Sequence, residues 1–191
     1  MAKRNTLATW SQQLKERVQG TMIPVLETER LLLRPPTKAD LQDNYLLSSD
    51  PEVMRFITPG RTQTVQEARQ DLYKRIKLSR GAYGYWVVEE KQSGLFIGWI
   101  VLKELDRIDF ELGFRLHKTK WGHGFATEAG KRVITYAFEV LNLNRVKAVV
   151  MPKNEASRKT LEKIGFQLTS FGRYYNAHCA VYEINSAGGH S

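Results

Sequence analysis

The chain has 191 residues, of which 42% are hydrophobic and 26% are charged, a balance typical of one globular domain. Its single cysteine, Cys179, excludes an internal disulfide, and no group of cysteines and histidines has the spacing of a zinc site. The formal net charge of +9 favours polyanionic partners such as nucleic acid, ribosomes, anionic lipid or a phosphorylated cofactor, although many soluble proteins are simply basic.

The first predicted element is an amphipathic helix within an N-terminal extension, residues 1–23. Apolar residues recur there at helical spacing, namely Leu7, Trp10, Leu14 and Val18. We expect this helix to pack on the domain surface, with a homodimer contact or a basic docking helix as alternatives. Lys3 and Arg4 are followed by no apolar run, and no stretch has the roughly 20 apolar residues of a membrane span. These features predict a soluble cytoplasmic protein with no membrane partner.

The main domain is predicted to cover residues 24–185, with a flexible tail at 186–191. Alternating apolar residues predict about seven strands, at Leu31–Pro36, Tyr85–Glu89, Leu95–Leu102, Ile108–Leu116, Arg145–Met151, Gln167–Tyr175 and Ala177–Ile184. Helical spacing predicts four helices, at Lys38–Ser48, Thr64–Arg80, Phe125–Leu141 and Ala156–Ile164. Consecutive strands that give way to alternating strands and helices predict an α/β (α+β) domain with a mixed central sheet flanked by helices.

The segment Asp109–Ala129 carries the most functional information. It opens with a strand on which one face is apolar and the other is formed by Asp109, Glu111, Gly113 and Arg115. A basic loop then leads through Gly122 and Gly124 directly into a helix. The first amides of a helix lack intrahelical acceptors and its dipole is positive there, while glycines let a phosphate approach the backbone. The segment is therefore either a pyrophosphate site or an ordinary strand-to-helix connection.

Two other phosphate motifs do not fit this turn. A P-loop requires a Lys-Ser/Thr pair after its final glycine, whereas Phe125 follows Gly124 here. A dinucleotide-binding fingerprint requires three spaced glycines early in a βαβ unit and an acidic residue after the next strand. This turn lies late in the chain, and the next predicted strand ends at Met151-Pro152-Lys153.

The segment Trp121–Ala129 resembles the acetyl-CoA motif of the GNAT acetyltransferases, in the form found in the ribosomal-protein N-acetyltransferase branch. Four further segments resemble that branch in the same order, namely Thr28–Arg34, Asp50–Met54, Gly98–Ile100 and Asn154–Phe166. Together they span most of the chain, from Val25 to about Ile184. The small residues that the family motif requires are Gly124 and Ala126, whereas Trp121 stands where the general pattern has Gln or Arg.

The resemblance implies an acetyl-CoA cleft between two splayed central strands, the one holding Glu111 and the one at Arg145–Met151. It implies that backbone groups near the end of the first strand contact the acetyl carbonyl and pantetheine. It assigns cofactor binding to Leu116, Lys118, Trp121, Gly122, His123, Gly124, Phe125, Ala126, Thr127, Asn154 and Ser157, and it implies no metal. Asn154 has a second interpretation as the cap of the following helix.

The resemblance also implies two catalytic residues. Glu111 occupies the place where several family members carry the base that deprotonates the amine. The alternatives are a solvated glutamate on the polar side of its strand and an ordered water as base. Ser157 is the candidate hydrogen-bond donor to the leaving thiolate, because Leu161 fills the place of the tyrosine that many members use. Its alternative is a local backbone contact in the first helical turn.

The acceptor implied by this branch is the N-terminal α-amine of a protein such as a ribosomal protein, acetylated by direct attack in a ternary complex. No direct role of nucleic acid is required. A small amine is the alternative acceptor, namely a polyamine, amino acid or antibiotic, and an acidic cleft would favour polyamines or aminoglycosides. A non-catalytic CoA-binding sensor or scaffold is an alternative of a different class. Tyr174 and Tyr175 either line the cleft or pack the final strands, and His117 and His123 are surface or packing residues more often than bases.

Overall fold

The computed structural model describes residues 22–57, 60–106 and 108–187. The predicted N-terminal helix lies within residues 1–21, which are outside the described residues, as are residues 188–191 of the predicted tail. The limits of the extension and tail therefore stay predictions.

The described part of the chain forms one mixed sheet of eight strands. The strands are β1 Leu26–Glu27, β2 Leu31–Arg34, β3 Tyr85–Glu90, β4 Leu95–Glu104, β5 Phe110–Leu116, β6 Arg145–Val150, β7 Gln167–Tyr174 and β8 Ala177–Asn185. Their order across the sheet is β1-β2-β3-β4-β5-β6-β8-β7. Every neighbouring pair is antiparallel except β5 and β6, which are parallel.

Within the described residues, five α-helices accompany the sheet. They are α1 Leu41–Ser49, α2 Pro51–Met54, α3 Val65–Leu78, α4 Phe125–Glu139 and α5 Glu155–Ile164. Asp50 caps α2, since its side chain accepts hydrogen bonds from the amides of Glu52 and Val53. A reciprocal capping box between Thr64 and Glu67 begins α3.

Helices cover both faces of the sheet, because alternate residues of its strands bury into two separate clusters. On β3, Trp86 and Val88 pack into the larger cluster with residues of α4 and α5. Val87, between them, points to the other face and packs with Leu47 of α1 and Leu72 of α3. The result is a three-layer domain whose central strands are apolar on both sides.

The predicted α/β class and mixed sheet are confirmed. The sheet gains an eighth strand, β1, whose two residues are too short to show alternation in the sequence. The predicted helix at Lys38–Ser48 begins as a 3-10 turn at Lys38–Asp40 and becomes α-helical at Leu41.

Two features of the central strands open a cleft in the sheet. Strands β5 and β6 pair only at Phe110 with Val146 and at Glu111 with Lys147, although both strands run on past this point. On the other side of β5, Gly98 of β4 lies so close that a Cβ there would fall 2.2 Å from the Arg115 carbonyl oxygen. The C-terminal half of β5 is thus held against β4 and separated from β6, which confirms the predicted splay.

Candidate active site

The first of two adjoining cavities lies at the N-terminus of α4 and has a volume of about 880 Å³. We call it the loop cavity, because the loop between β5 and α4 forms much of its wall. Nine of the predicted cofactor residues line it, namely Leu116, Trp121, Gly122, Gly124, Phe125, Ala126, Thr127, Asn154 and Ser157. Arg30 also lines it and donates to the carbonyl oxygen of His123, 93 positions further along the chain.

Two glycines with positive φ form the turn that leads into α4. Gly122 has φ +77° and Gly124, the N-cap residue, has φ +80°, a region that other residues rarely adopt. A Cβ at Gly124 would meet nothing nearer than the Arg30 guanidinium at 3.5 Å, so the absent side chain leaves backbone exposed to the cavity. The amides of the first turn of this 15-residue helix are suited to bind a phosphate.

Side chains from both ends of the loop fix its position. The Trp121 indole Nε1 donates to the Leu116 carbonyl oxygen at 2.9 Å and so ties the loop to the end of β5. Arg30 forms an ion pair with Glu128 at 2.6 Å and lies over the Phe125 ring, with its Cζ 4.5 Å from the ring centroid. Trp121 therefore has a structural contact at the position where the general family motif has Gln or Arg.

The loop cavity carries more positive than negative charge. Among the described residues, six cations line it, Arg30, Arg55, Arg115, Lys120, Lys131 and Lys163, together with three carboxylates, Glu29, Glu52 and Glu128. Lys118 and His123, also predicted as cofactor residues, lie outside its lining. The Lys118 ammonium lies 4.0 Å from a Glu52 carboxylate oxygen, and the His123 ring stacks on Phe125.

The second cavity, which we call the strand cavity, has a volume of about 510 Å³ and lies where β5 separates from β6. Glu111 on β5 lines it with only 6% of its surface exposed, so the interpretation of Glu111 as a solvated surface residue is wrong. Its Oε2 accepts a hydrogen bond from the Tyr175 hydroxyl and lies 3.2 Å from the Lys103 ammonium. Both contacts fix the orientation of the carboxylate.

Burial and the Glu111 carboxylate raise the pKa of Tyr175 to about 12. Burial alone would lower the pKa of Lys103, but the Glu111 charge and the hydrogen bond to Tyr175 raise it. Both groups therefore keep their protons throughout the neutral range and remain donors to their neighbours.

Tyr175 reaches Glu111 from the turn between β7 and β8. Tyr175 and Asn176 have φ +50° and +61°, and positive φ at both central residues is what a two-residue I′ hairpin turn requires. That backbone region is unfavourable for a tyrosine, and such strain tends to occur at functional sites. Of the two tyrosines considered from the sequence, Tyr175 lines the strand cavity and Tyr174 does not.

Two arginines form another part of the strand-cavity wall. Arg75 on α3 donates to Asp71 at 2.8 Å and lies over the rings of Tyr85 and Trp99. Arg115 on β5 has only 8% of its side chain exposed, and its Nη2 lies 3.7 Å from the same Asp71 oxygen. Burial and the adjacent Arg75 charge lower the pKa of Arg115 to about 9, so it keeps its charge at neutral pH.

The two cavities meet at the N-terminus of α5 and at the C-terminal half of β5. Phe114, Arg115, Asn154 and Ser157 line both. The Asn154 side chain accepts a hydrogen bond from the Ser157 amide at 3.2 Å, so Asn154 is the N-cap of α5 as well as a wall residue of both cavities. The structure thus places both predicted catalytic residues, Glu111 and Ser157, at the strand cavity, and Ser157 lines the loop cavity as well.

Sequence reasoning missed three residues that line the strand cavity, Arg75, Lys103 and Arg115, and their neighbour Asp71. Asp71 and Arg75 are spaced i, i+4 on a helix, a pattern that also occurs in ordinary surface pairs. Lys103 lies near the end of a strand with no motif around it. Arg115 shares a strand face with Glu111, and this alternation was the one signal that could have placed it in the site. His117, considered as a base, lies outside both cavities, where burial lowers its pKa.

No helix within 22–57, 60–106 and 108–187 is long and apolar enough to cross a membrane. In the same described ranges, no group of three or more His, Cys, Asp or Glu side chains is placed to hold a metal ion.

The chain matches the family described as "Acetyltransferase (GNAT) domain" over residues 30–167. It is 32% identical over 157 residues to the uncharacterized N-acetyltransferase YoaA of Bacillus subtilis, covering 81% of this chain and 89% of that protein. Over 76 residues, 39% of this chain and 42% of the relative, it is 43% identical to B. subtilis YdaF, provisionally named a ribosomal N-acetyltransferase.

A solved structure of a GNAT-family acetyltransferase from Bacillus anthracis superposes with a TM-score of 0.75, at 25% identity, over 85% of this chain and 98% of that one. The fold, the glycine turn at α4 and the family match agree. The chain belongs to the GNAT acetyltransferase family, and it is an acetyl-CoA-dependent N-acetyltransferase.

Proposed function

We propose that the chain transfers the acetyl group directly to a primary amine held in the strand cavity, within a ternary complex. The observation that supports this most strongly is the wall that the two cavities share. A cosubstrate in the loop cavity and an amine in the strand cavity would meet at Phe114, Asn154 and Ser157, beside Glu111. No acetylated side chain is needed as an intermediate carrier.

The residues of the loop cavity fit acetyl-CoA. The amides that follow Gly124 and the surplus of lysine and arginine side chains would face the phosphates, as negative groups favour a helix N-terminus. The residues Phe114 to Leu116 on β5, separated from β6 at this point, would lie along the pantetheine. When bound, the cosubstrate supplies a thioester carbon that an amine can attack.

Glu111 is proposed as the base. The amine nitrogen forms a bond to the thioester carbonyl carbon, the carbon–sulfur bond breaks, and the proton lost by the nitrogen passes to the Glu111 carboxylate. Tyr175 and Lys103 both contact Oε2, so Oε1 is the oxygen proposed to accept this proton, directly or through one water. The proton then leaves to solvent.

Ser157 is proposed to assist departure of the sulfur. It lies in the first turn of α5, its amide is fixed by Asn154, and the residue lines both cavities. Its hydroxyl would donate a hydrogen bond to the thiolate as the carbon–sulfur bond breaks, which stabilises the developing negative charge. Leu161, which also lines the strand cavity, has no group that could do this.

The N-terminal α-amine of a protein is proposed as the acceptor, with a small amine as the second candidate. The motif resemblance and the partial match to YdaF support the first. Polyamines and aminoglycosides fit poorly, because the described residues that line the strand cavity include three cations, Arg75, Lys103 and Arg115, and a single carboxylate, Glu111. A polycation would meet net repulsion there.

A free-thiol release assay with acetyl-CoA tests this function. The panel contains peptides that begin with Ala, Ser or Met, small amino acids, spermidine and an aminoglycoside, and mass spectrometry identifies each acetylated product. We expect turnover on peptides or amino acids, little on polycations, and a kcat for Ser157→Ala reduced about tenfold or more. Tight acetyl-CoA binding by calorimetry without turnover on any amine would refute the proposed function.

A further inference from the structure

Arg115 is a buried charge without a full set of partners. Its Nη2 is buried and donates no hydrogen bond, and its Nη1 contacts only the weak acceptor Sδ of Met54 at 3.1 Å. The nearest carboxylate oxygen, on Asp71, lies 3.7 Å from Nη2, which is within ion-pair range but too far for a hydrogen bond. A buried guanidinium left this way is costly in free energy, so its retention calls for an explanation.

Asp71 cannot neutralise the arginines alone. The same Asp71 oxygen already accepts the hydrogen bond of Arg75 at 2.8 Å, so one carboxylate serves two guanidinium groups. Lys103, the third cation that lines the cavity, is paired with Glu111. One positive charge is therefore in excess at the end of the strand cavity formed by α3 and β5. Burial and Arg75 lower the pKa of Arg115 to about 9, as expected for a charge short of anionic neighbours.

The distance between this excess charge and Glu111 sets the length that an acceptor needs to contact both. Glu111 and Arg115 lie on the same face of β5, four residues apart, which corresponds to about 13 Å along a strand. An α-amino acid has its amine and carboxylate on one carbon and is too short to reach both. A longer acceptor could place its amine near Glu111 and an anionic group at Arg115.

We infer that Arg115, with Arg75 beside it, binds an anionic group of the acceptor, a carboxylate or phosphate separated by several bonds from the amine that is acetylated. The inference rests on the proposed function for the amine, and it adds the charge and length of the acceptor. A planar guanidinium donates two parallel hydrogen bonds to such a group, and these charge-assisted bonds are stronger than neutral ones. An acidic side chain in the first residues of a peptide and the acid group of a small ω-amino acid both meet this requirement.

Matched amines that differ in charge test the inference. The small-molecule arm compares 6-aminohexanoate and 6-aminohexyl phosphate with neutral 6-aminohexanamide, and the peptide arm compares Ala-Glu-Ala-Ala-amide with Ala-Gln-Ala-Ala-amide. We expect the wild-type kcat/KM to be at least about tenfold higher for the acid than for its neutral partner in one or both arms, the difference that a charge-assisted hydrogen bond supplies. The arm that shows the larger ratio identifies the source of the anion.

Variants assign the effect to Arg115. In Arg115→Gln the acid-to-neutral ratio should fall to within about twofold of unity, and in Arg115→Lys, which keeps the charge but loses the two-pronged geometry, it should be intermediate. Arg61→Gln removes an exposed arginine outside both cavities and should keep the wild-type ratio. Thermal melting of each variant establishes that it is folded.

Ligand-induced melting shifts keep the inference testable if no amine is turned over. In that case the proposed function fails, and the inference stands only if 6-aminohexanoate or the phosphate raises the melting temperature of wild type more than the amide does, and if Arg115→Gln removes this difference. Equal kcat/KM values for acid and neutral partners, with turnover present, would overturn the inference and leave the proposed function intact. Equal ratios in wild type and Arg115→Gln would do the same.

Discussion

The loop cavity and the strand cavity adjoin, yet they are built in different ways. Backbone forms the important part of the loop cavity, where Gly122, Gly124 and the first turn of α4 follow one another in sequence. Side chains form the strand cavity, and they come from α3, β4, β5 and the turn between β7 and β8. The loop cavity therefore depends on a short contiguous motif, whereas the strand cavity depends on the assembled fold.

This difference separates cosubstrate from acceptor. Backbone amides bind any phosphate in the same way, so a shared cosubstrate needs only the shared turn. Side chains such as Arg115 and Glu111 can change one at a time without disturbing that turn, and the acceptor can change with them. Substitutions in the loop cavity should therefore change acetyl-CoA affinity, and substitutions in the strand cavity should change turnover.

The largest expected effect is that of Glu111→Gln. Removal of the base should lower kcat by about 100-fold or more, since general base catalysis contributes on the order of 10² to 10⁴ in rate. The dissociation constant for acetyl-CoA, measured by calorimetry, should stay unchanged because Glu111 does not line the loop cavity. Glu139→Gln, at the exposed end of α4, is the matched control and should leave both quantities at wild-type values. A large change in acetyl-CoA affinity in Glu111→Gln would show that the cavities are not independent.

The same contrast explains how much of the molecule the sequence could predict. Seven of the eight strands and four of the five described α-helices were predicted within a few residues, because apolar alternation and helical spacing are local signals. The glycine turn was predicted for the same reason. Lys103 and Tyr175 could not be joined to Glu111 from sequence, nor Asp71 to Arg115, because these contacts depend on sheet order, on helix packing and on a turn about 60 residues beyond Glu111. The burial of Glu111 was likewise invisible, since the covering elements are distant in sequence.

Gly124→Ala should weaken acetyl-CoA binding about tenfold. An alanine at φ +80° costs about 1–2 kcal/mol, so the turn should shift and carry the first amides of α4 away from the phosphates. Gly94→Ala is the control, because Gly94 also has a positive φ, +68°, with no atom within 4 Å of its Cβ position, but lies in the turn between β3 and β4. Both variants should lose similar folding stability in urea, and only Gly124→Ala should lose affinity. Equal loss of affinity in both would mean that the turn binds no phosphate.

Tyr175→Phe should lower kcat by roughly three- to tenfold, the worth of one ordinary hydrogen bond, because the Glu111 carboxylate loses one of its two orienting contacts. Burial and Glu111 raise the pKa of Tyr175 to about 12, so its proton remains in place where an exposed tyrosine would ionise near pH 10. The shape of the kcat profile between about pH 6 and about pH 10 should therefore be the same in wild type and variant. Tyr174→Phe, one residue away and outside the cavity lining, should have no effect. If one of the ionisations seen in the wild-type kcat–pH profile is missing in the variant, Tyr175 has a proton-transfer role instead.

The smallest expected effect is that of Glu67→Gln at the start of α3, the helix that carries Asp71 and Arg75. The hydrogen bond from Arg61, with that from the Thr64 amide, lowers the pKa of Glu67 to about 2, below its value of about 4.5 in the unfolded chain. A pKa lowered by folding contributes stability that is present above pH 4.5 and is lost as the pH falls towards 2. The urea midpoint of wild type should therefore exceed that of Glu67→Gln slightly at neutral pH, and the gap should shrink at acidic pH. The difference in urea midpoint should be small, because the carboxylate is exposed and water screens the pair.

Arg61→Gln should lower the urea midpoint by the same amount, and the double variant should be no less stable than either single variant, since both substitutions remove the same interaction. Any change in activity should fall on acceptor KM and leave acetyl-CoA affinity unaltered, because α3 contributes to the strand cavity alone. A gap that is constant with pH would mean that the Glu67 charge does not stabilise α3, and a change in acetyl-CoA affinity would contradict the independence of the two cavities.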